Sequence, residues 1–209
     1  LIALYYAKKI VGNVNLKPDW DLVRNLLVKS LPLGVGIVLT VVVAKADQFL
    51  LSVLSFSPKL GLTNDSALGN YGSAYKIFEN LLVFPTFFVN AAYPLLVKNY
   101  ETNAVKFKKL FWGGLIFLTT FSTLVSFVGW YLAPLIFEPM GAGEFVLAPL
   151  ALRILLLSLP LFFSSAFLLF VMITQGQEKK VPFIYLVAAI FNVVLNLFFI
   201  PQYGFMASA

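Results

Sequence analysis

Cysteine and histidine are both absent from the 209 residues. Without a thiol there is no disulfide, no thiolate metal site and no thiol redox chemistry. Without imidazole there is no histidine-based catalytic triad, and a zinc site loses its commonest ligand. Charge is scarce as well: only 11% of the residues are charged, where a soluble domain carries about 25%. Also missing are a Gly-rich phosphate loop, an HExxH helix and a nucleophile elbow. No catalytic residues are assigned, no cofactor is expected, and the chain reads as something other than an enzyme.

What fills the sequence instead is apolar. Hydrophobic residues make up 60% and the mean hydropathy is +0.91. Long apolar runs alternate with short charged segments, and runs such as LLLSLPLFFSSAFLLF lack the alternation of barrel strands. In lipid each backbone group must find its partner within a helix or a closed barrel, so the expectation is an all-α integral membrane protein, a polytopic helical bundle. The net charge of +6 sits at the ends of apolar runs, where it sets topology rather than inviting nucleic acid.

Five complete spans are expected, at about 30–54, 69–97, 110–137, 148–174 and 181–200. Residues 1–12 read as the end of a preceding transmembrane helix, and residues after 204 as the start of a further one. The chain therefore reads as a piece of a longer protein. Residues 13–29 place Trp20, Val23, Leu26 and Leu27 at helical spacing, which predicts a cytoplasmic amphipathic linker helix. Residues 55–68 read as a loop. Eleven Lys/Arg flank one end of the spans and two the other, with Lys45 and Lys76 inside the membrane. By the positive-inside rule the basic end is cytoplasmic, and a multi-pass protein of the cell membrane is expected.

The run Ser30 to Leu54 spans about 37 Å as a helix, enough to cross a hydrocarbon core of about 30 Å. It nevertheless contains Lys45 and Asp47. Ionisable groups at such depth cost about 2.5–3.5 kcal/mol on insertion scales, so they face a cavity or a partner. Counting residues from the non-basic end puts Lys45, Asp47, Lys76 and Glu79 in one layer, with Arg153, Asn192 and Asn196 near it. Lys45 shares a helical face with Gln48 and Ser52, while Gly36, Thr40 and Asp47 lie on another. The predicted cavity face is Lys45, Gln48 and Ser52, joined by Lys76 and Arg153. Asp47 and Glu79 read either as ion-coupling groups or as salt-bridge partners, Asp47 with Lys76 and Glu79 with Lys45 or Lys76. In the second span Gly72, Tyr75, Lys76, Glu79, Thr86 and Asn90 form a polar stripe. Asn192 and Asn196 read as interhelical glue, and Pro85 and Pro160 as hinges or tolerated kinks.

Three segments carry a resemblance: LLVKSLPLGVGIVLTVVVAKADQFLLS at 26–52, LGNYGSAYKIFENLLVFPTFFVNAAYPLL at 68–96, and PQYGFMASA at 201–209. They are similar to the opening helices, and to the start of the last helix, in the C-terminal half of the polysaccharide (O-antigen type) flippase family of the multidrug/oligosaccharidyl-lipid/polysaccharide exporter superfamily. The resemblance implies the C-terminal six-helix lobe of a two-lobe transporter. It further implies a substrate that is a lipid-linked oligosaccharide, flipped by alternating access for lipopolysaccharide or capsule synthesis. A coupling proton or sodium ion, membrane lipids, and a glycosyltransferase or polymerase of the same pathway complete the expected partners. A cation-coupled multidrug exporter, a peptidoglycan-precursor flippase, or a noncatalytic membrane scaffold are the alternatives.

Overall fold

The computed structural model describes residues 19–54, 64–140 and 145–208, and among these it is all helical, with no strand. The expected preceding helix at 1–12 and the start of the linker lie outside the described residues. Among the described residues six α-helices run in chain order: α1 Trp20–Val53, α2 Asn64–Leu81, α3 Val83–Thr102, α4 Ala104–Phe137, α5 Ala148–Thr174 and α6 Val181–Tyr203. Taken with their short continuations, they make five stretches long and apolar enough to cross a membrane. The protein is thus a multi-pass membrane protein by the length and composition of its helices.

Local sequence explains most of the boundaries. Asp19 caps α1, its carboxylate accepting from the backbone N–H groups of Asp21 and Leu22 at 3.1 Å, which satisfies two of the donors a helix start leaves open. Asn103 does the same for α4, accepting from the Lys106 N–H at 2.9 Å. Pro149 and Pro182 sit in the first turns of α5 and α6, where a missing N–H costs nothing. At the end of α5, Gly176 takes φ +69°, the Gln177 N–H reaches the Met172 carbonyl and the Gly176 N–H the Ile173 carbonyl. That pair of bonds is a Schellman stop.

Three boundaries differ from the sequence reading. The linker and the first span are not separate: α1 is one helix from Trp20 to Val53. Ser30 in the run RNLLVKSL donates its hydroxyl back to the Leu27 carbonyl at 3.3 Å instead of capping a new start, and the helix continues through it. The predicted loop yields its last five residues to α2, which begins at Asn64 and carries Asp65 in its first turn, where an acidic side chain suits the helix dipole. Finally, a 3₁₀ turn at Gly204–Ala207 stands where the start of a further helix is expected. Gly204 at φ +60° ends α6 there.

The expected second span is divided at Leu82 into α2 and α3. Pro85 has no N–H and its ring crowds the carbonyl four residues back, which is that of Leu81. The Leu82 N–H is shared between the carbonyls of Phe78 and Glu79, at 3.3 and 3.1 Å.

The helices fall into two groups. α5 is the most buried span and packs against α2, α3 and α4, while α1 packs chiefly along α6. The groups meet through α1 against α2 and through the terminal turn against α2 and α5. Leu51, Ile200 and Phe205, all fully buried, join the second group to the core of the first at the end away from the lysines.

Within the first group the contact of α4 with α5 is unusually close. Gly114, Leu118, Ser122, Ser126, Gly129 and Ala133 fall on one face of α4 at helical spacing. A β-carbon on Gly114 would stand 2.6 Å from Phe167 Cζ, and one on Gly129 would stand 2.8 Å from Leu156 Cδ1. Small residues on one helix thus make room for the large side chains of the next, a close fit of the kind on which helix association in lipid rests.

Candidate functional site: a polar cavity between the two helix groups

Where α1 and α6 stand away from α2, α3 and α5, a cavity of about 450 Å³ remains. Thr40, Ala44 and Asp47 of α1 follow one another at helical spacing along one wall. Tyr71, Tyr75 and Phe78 of α2 face them, and beyond the break Pro85 and Thr86 continue the wall. Ser158 and Ser165 of α5, with Tyr185 and Asn192 of α6, close the remainder.

A chain of polar contacts seals the end away from the lysines. The Tyr71 hydroxyl donates to the Asp47 carboxylate and lies 3.1 Å from the Ser208 carbonyl oxygen. The Ser208 hydroxyl donates to Asn196 Oδ1 at 2.9 Å. The Asn196 amide donates in turn to the Asn192 carbonyl at 3.0 Å. Asp47 and Asn196 are buried, so each needs the partners it has. One continuous network thus joins α1, α2, the terminal turn and α6.

Two further contacts lie beside it. The Tyr75 hydroxyl donates to the Ala44 carbonyl at 2.8 Å. Lys45 Nζ sits 3.2 Å from Glu79 Oε1 and 4.8 Å from the centre of the Tyr75 ring. Tyr71, Tyr75 and Glu79 of α2 therefore form a ladder at four-residue steps against Asp47, Ala44 and Lys45 of α1.

This geometry corrects the predicted cavity face. Lys45 and Ser52 are exposed and Gln48 is half-buried; none of the three lines the cavity. The face that does is Thr40–Ala44–Asp47, and since two residues are about 200° apart on a helix, Lys45 and Asp47 point to opposite sides. Of the expected charge pairs, Lys45 with Glu79 forms and Asp47 with Lys76 does not. Asp47 has Tyr71 as its partner, and Lys76 is exposed on the flank of α2. Asp47 is the one charged residue among the described residues lining the cavity, where a net positive lining is expected from sequence.

Arg153 is also elsewhere. It lies about 200° around α5 from Leu155, which lines the cavity. Its Nε donates to the Trp130 carbonyl at 3.0 Å, and its guanidinium stands 5.6 Å from the Trp130 ring centre. Trp130 is four residues before Pro134 in α4, so this carbonyl is the one that the proline leaves without an N–H. Pro160 in α5 has the mirror arrangement. The carbonyl it frees, that of Leu156, accepts from the Ser126 hydroxyl of α4. Pro85 lines the cavity and is buried, and Asn90 is exposed on α3. Asn192 and Asn196 tie α6 to the terminal turn rather than to a long neighbouring helix.

Sequence reasoning singled out neither Tyr71 nor Ser208. The four-residue ladder from Tyr71 to Glu79 was a usable signal for the tyrosine; a serine in a run of small residues carried none. No group of three metal-ligating residues stands together among the described residues. No family model, no curated protein and no solved structure matches the chain.

Proposed function

We propose that the chain is the C-terminal lobe of a two-lobe transporter that flips an undecaprenyl-diphosphate-linked oligosaccharide from the cytoplasmic to the outer leaflet for polysaccharide synthesis. The observation that carries this reading is the cavity itself: a largely apolar hollow that carries hydroxyls and a buried carboxylate, lying between two helix groups in a bundle of membrane-length helices. A carboxylate at such depth is costly unless it serves a path through the membrane. At about 450 Å³ it suits an ion and its waters better than a lipid-linked sugar. The sugar-diphosphate belongs on the exposed flank that carries Lys45, Glu79, Lys76 and Asn90, where a second lobe would complete the site. There Lys45 and Lys76 attract the diphosphate, and Asp47 couples a proton or sodium ion or tunes the helix junction. A glycosyltransferase or polymerase would hand over and receive the substrate.

The test is Lys45→Ala in the full-length protein with surface polysaccharide as the readout. Export falls at unchanged protein level if the reading holds, and undiminished export removes Lys45 from it. A second reading, a cation-coupled multidrug exporter of the same superfamily, is favoured by one observation, the acidic cavity with Asp47 as its charged group. In that case Asp47→Asn lowers resistance to cationic compounds and leaves surface polysaccharide unchanged.

A further inference from the structure

A second hollow, of about 580 Å³, lies at the lysine-rich end between the last turns of α3 and the first turns of α4. Its floor is apolar, made by Phe88, Leu96 and Leu110 with Phe167 of α5 beneath. Its mouth carries Lys98, Lys106 and Lys109. None of the three ammonium groups is in a salt bridge among the described residues, and Glu101 in the adjoining turn does not line the hollow. Three lysines without a salt bridge among the described residues thus border one slot with an apolar floor. Gly113 borders the slot, and a β-carbon there would meet nothing within 4 Å, so a larger side chain at this position would enter open space. Its neighbour Gly114 is occupied by Phe167. A shallower hollow beside it adds Lys108 and the exposed Trp112, an indole at the level where aromatic side chains mark the membrane interface.

We propose that this groove is a binding site for an anionic phospholipid of the surrounding bilayer, its phosphate held by Lys98, Lys106 and Lys109 and one acyl chain lying in the slot at Gly113. Charge complementarity selects the occupant. A basic rim over an apolar slot between membrane helices matches a negatively charged headgroup on a hydrocarbon tail, the general chemistry of such pockets. A zwitterionic lipid would fill the slot and leave the three positive charges uncompensated. Lipid held there would add to the bracing of the α3–α4 hairpin, whose turn at Asn103 is closed by its cap and by the Tyr100 ring against that of Phe107 at 5.2 Å.

Trp112 is the reporter. The full-length protein, with its other tryptophans replaced by phenylalanine, is placed in vesicles of phosphatidylcholine containing acyl-brominated phosphatidylglycerol, or acyl-brominated phosphatidylcholine at equal mole fraction. Fluorescence quenching of Trp112 then reads which lipid occupies the groove. The anionic lipid should be preferred on the order of thirtyfold, as two lysines at a bilayer surface supply. Replacing Lys98, Lys106 and Lys109 by glutamine should bring the preference close to one. Gly113→Leu, which keeps every charge, should also reduce it, because the slot is filled. Lys179→Gln with Lys180→Gln removes two charges at the same end and should leave the preference intact. Equal quenching by the two lipids in the parent protein overturns the proposal. So does a preference that survives Gly113→Leu, or one that falls as far with Lys179 and Lys180 replaced, since either marks general surface charge.

Discussion

The contact of α4 with α5 and the junction of α1 with α2 solve the same problem in opposite ways. In lipid there is no hydrophobic gain from pressing two apolar helices together, so association rests on close approach and on hydrogen bonds. Along α4 and α5 the side chains of Phe167 and Leu156 seat against Gly114 and Gly129 and leave no room for a β-carbon. Hydroxyls between them are satisfied at short range, as in Thr119 with Ser164 at 2.9 Å. Along α1 and α2 the helices border a cavity and are joined by side chains, Tyr71 to Asp47 and Tyr75 to Ala44 at the cavity wall and Lys45 to Glu79 outside it. The first contact is a continuous surface and resists any change of shape. The second combines a buried contact at one end, where Leu51 and Tyr71 are fully enclosed, with side-chain ties beside a hollow. The two junctions thus differ in how the space between helices is filled.

The largest effect that tests this contrast is Gly129→Leu. Its side chain must displace Leu156, which is 1% exposed and enclosed, and overpacking of this kind costs about 3 kcal/mol. Thermal unfolding of the purified protein in detergent should show the loss. Gly72→Ala on α2, where a β-carbon meets nothing within 4 Å, should by the same measurement be neutral or gain up to about 1 kcal/mol from helix propensity. Equal losses at the two glycines would erase the distinction between the two regions.

Next in size is Tyr71→Phe. It leaves the buried Asp47 carboxylate without its hydroxyl donor, a penalty of about 2 kcal/mol. Because the natural chain has no cysteine, a single cysteine at Ser165 on the cavity wall reports access without background. Its reaction with a membrane-impermeant thiol reagent should quicken in the Tyr71→Phe protein, and an unchanged rate would mean that the tie does not hold the groups closed. Ser126→Ala is smaller. It removes one interhelical bond within the close seam, worth about 0.6 kcal/mol on average in membrane proteins, and should lower the unfolding temperature slightly without altering that labelling. The smallest change in stability is expected for Lys45→Gln, since its pair with Glu79 is about half exposed on both sides and such pairs contribute at most about 1 kcal/mol. A large loss of stability there would place Lys45 among the supports of the fold.

Helix number and approximate ends were legible in the sequence because hydropathy acts over some twenty residues and tolerates local error; the span Ala148–Thr174 falls where the apolar run predicts it. Depth was legible too. Counting from the span ends places Lys45, Asp47, Lys76 and Glu79 in one layer, and two of those four do meet as a pair. Azimuth was not. Which face of α1 looks inward depends on where α6 and α2 stand, and neither hydropathy nor spacing encodes that. So Lys45 and Asp47 could be set on opposite sides without deciding which side holds the cavity. Arg153 failed for the same reason, at the right depth and on the wrong face of α5. Its true partner, a carbonyl freed by Pro134, becomes visible only when the proline of one helix is read against the side chains of the next.

The two proline gaps are reciprocal. Arg153 of α5 takes the carbonyl that Pro134 frees in α4, and Ser126 of α4 takes the one that Pro160 frees in α5. Each helix alone would enter the bilayer with a bare carbonyl, a cost of several kcal/mol in hydrocarbon. During synthesis, then, α4 has reason to wait at the translocation channel until α5 emerges, so that the two leave for the lipid as a hairpin. Chains truncated before Arg153 should remain crosslinked to the channel, while chains extended past Thr174 should be released from it.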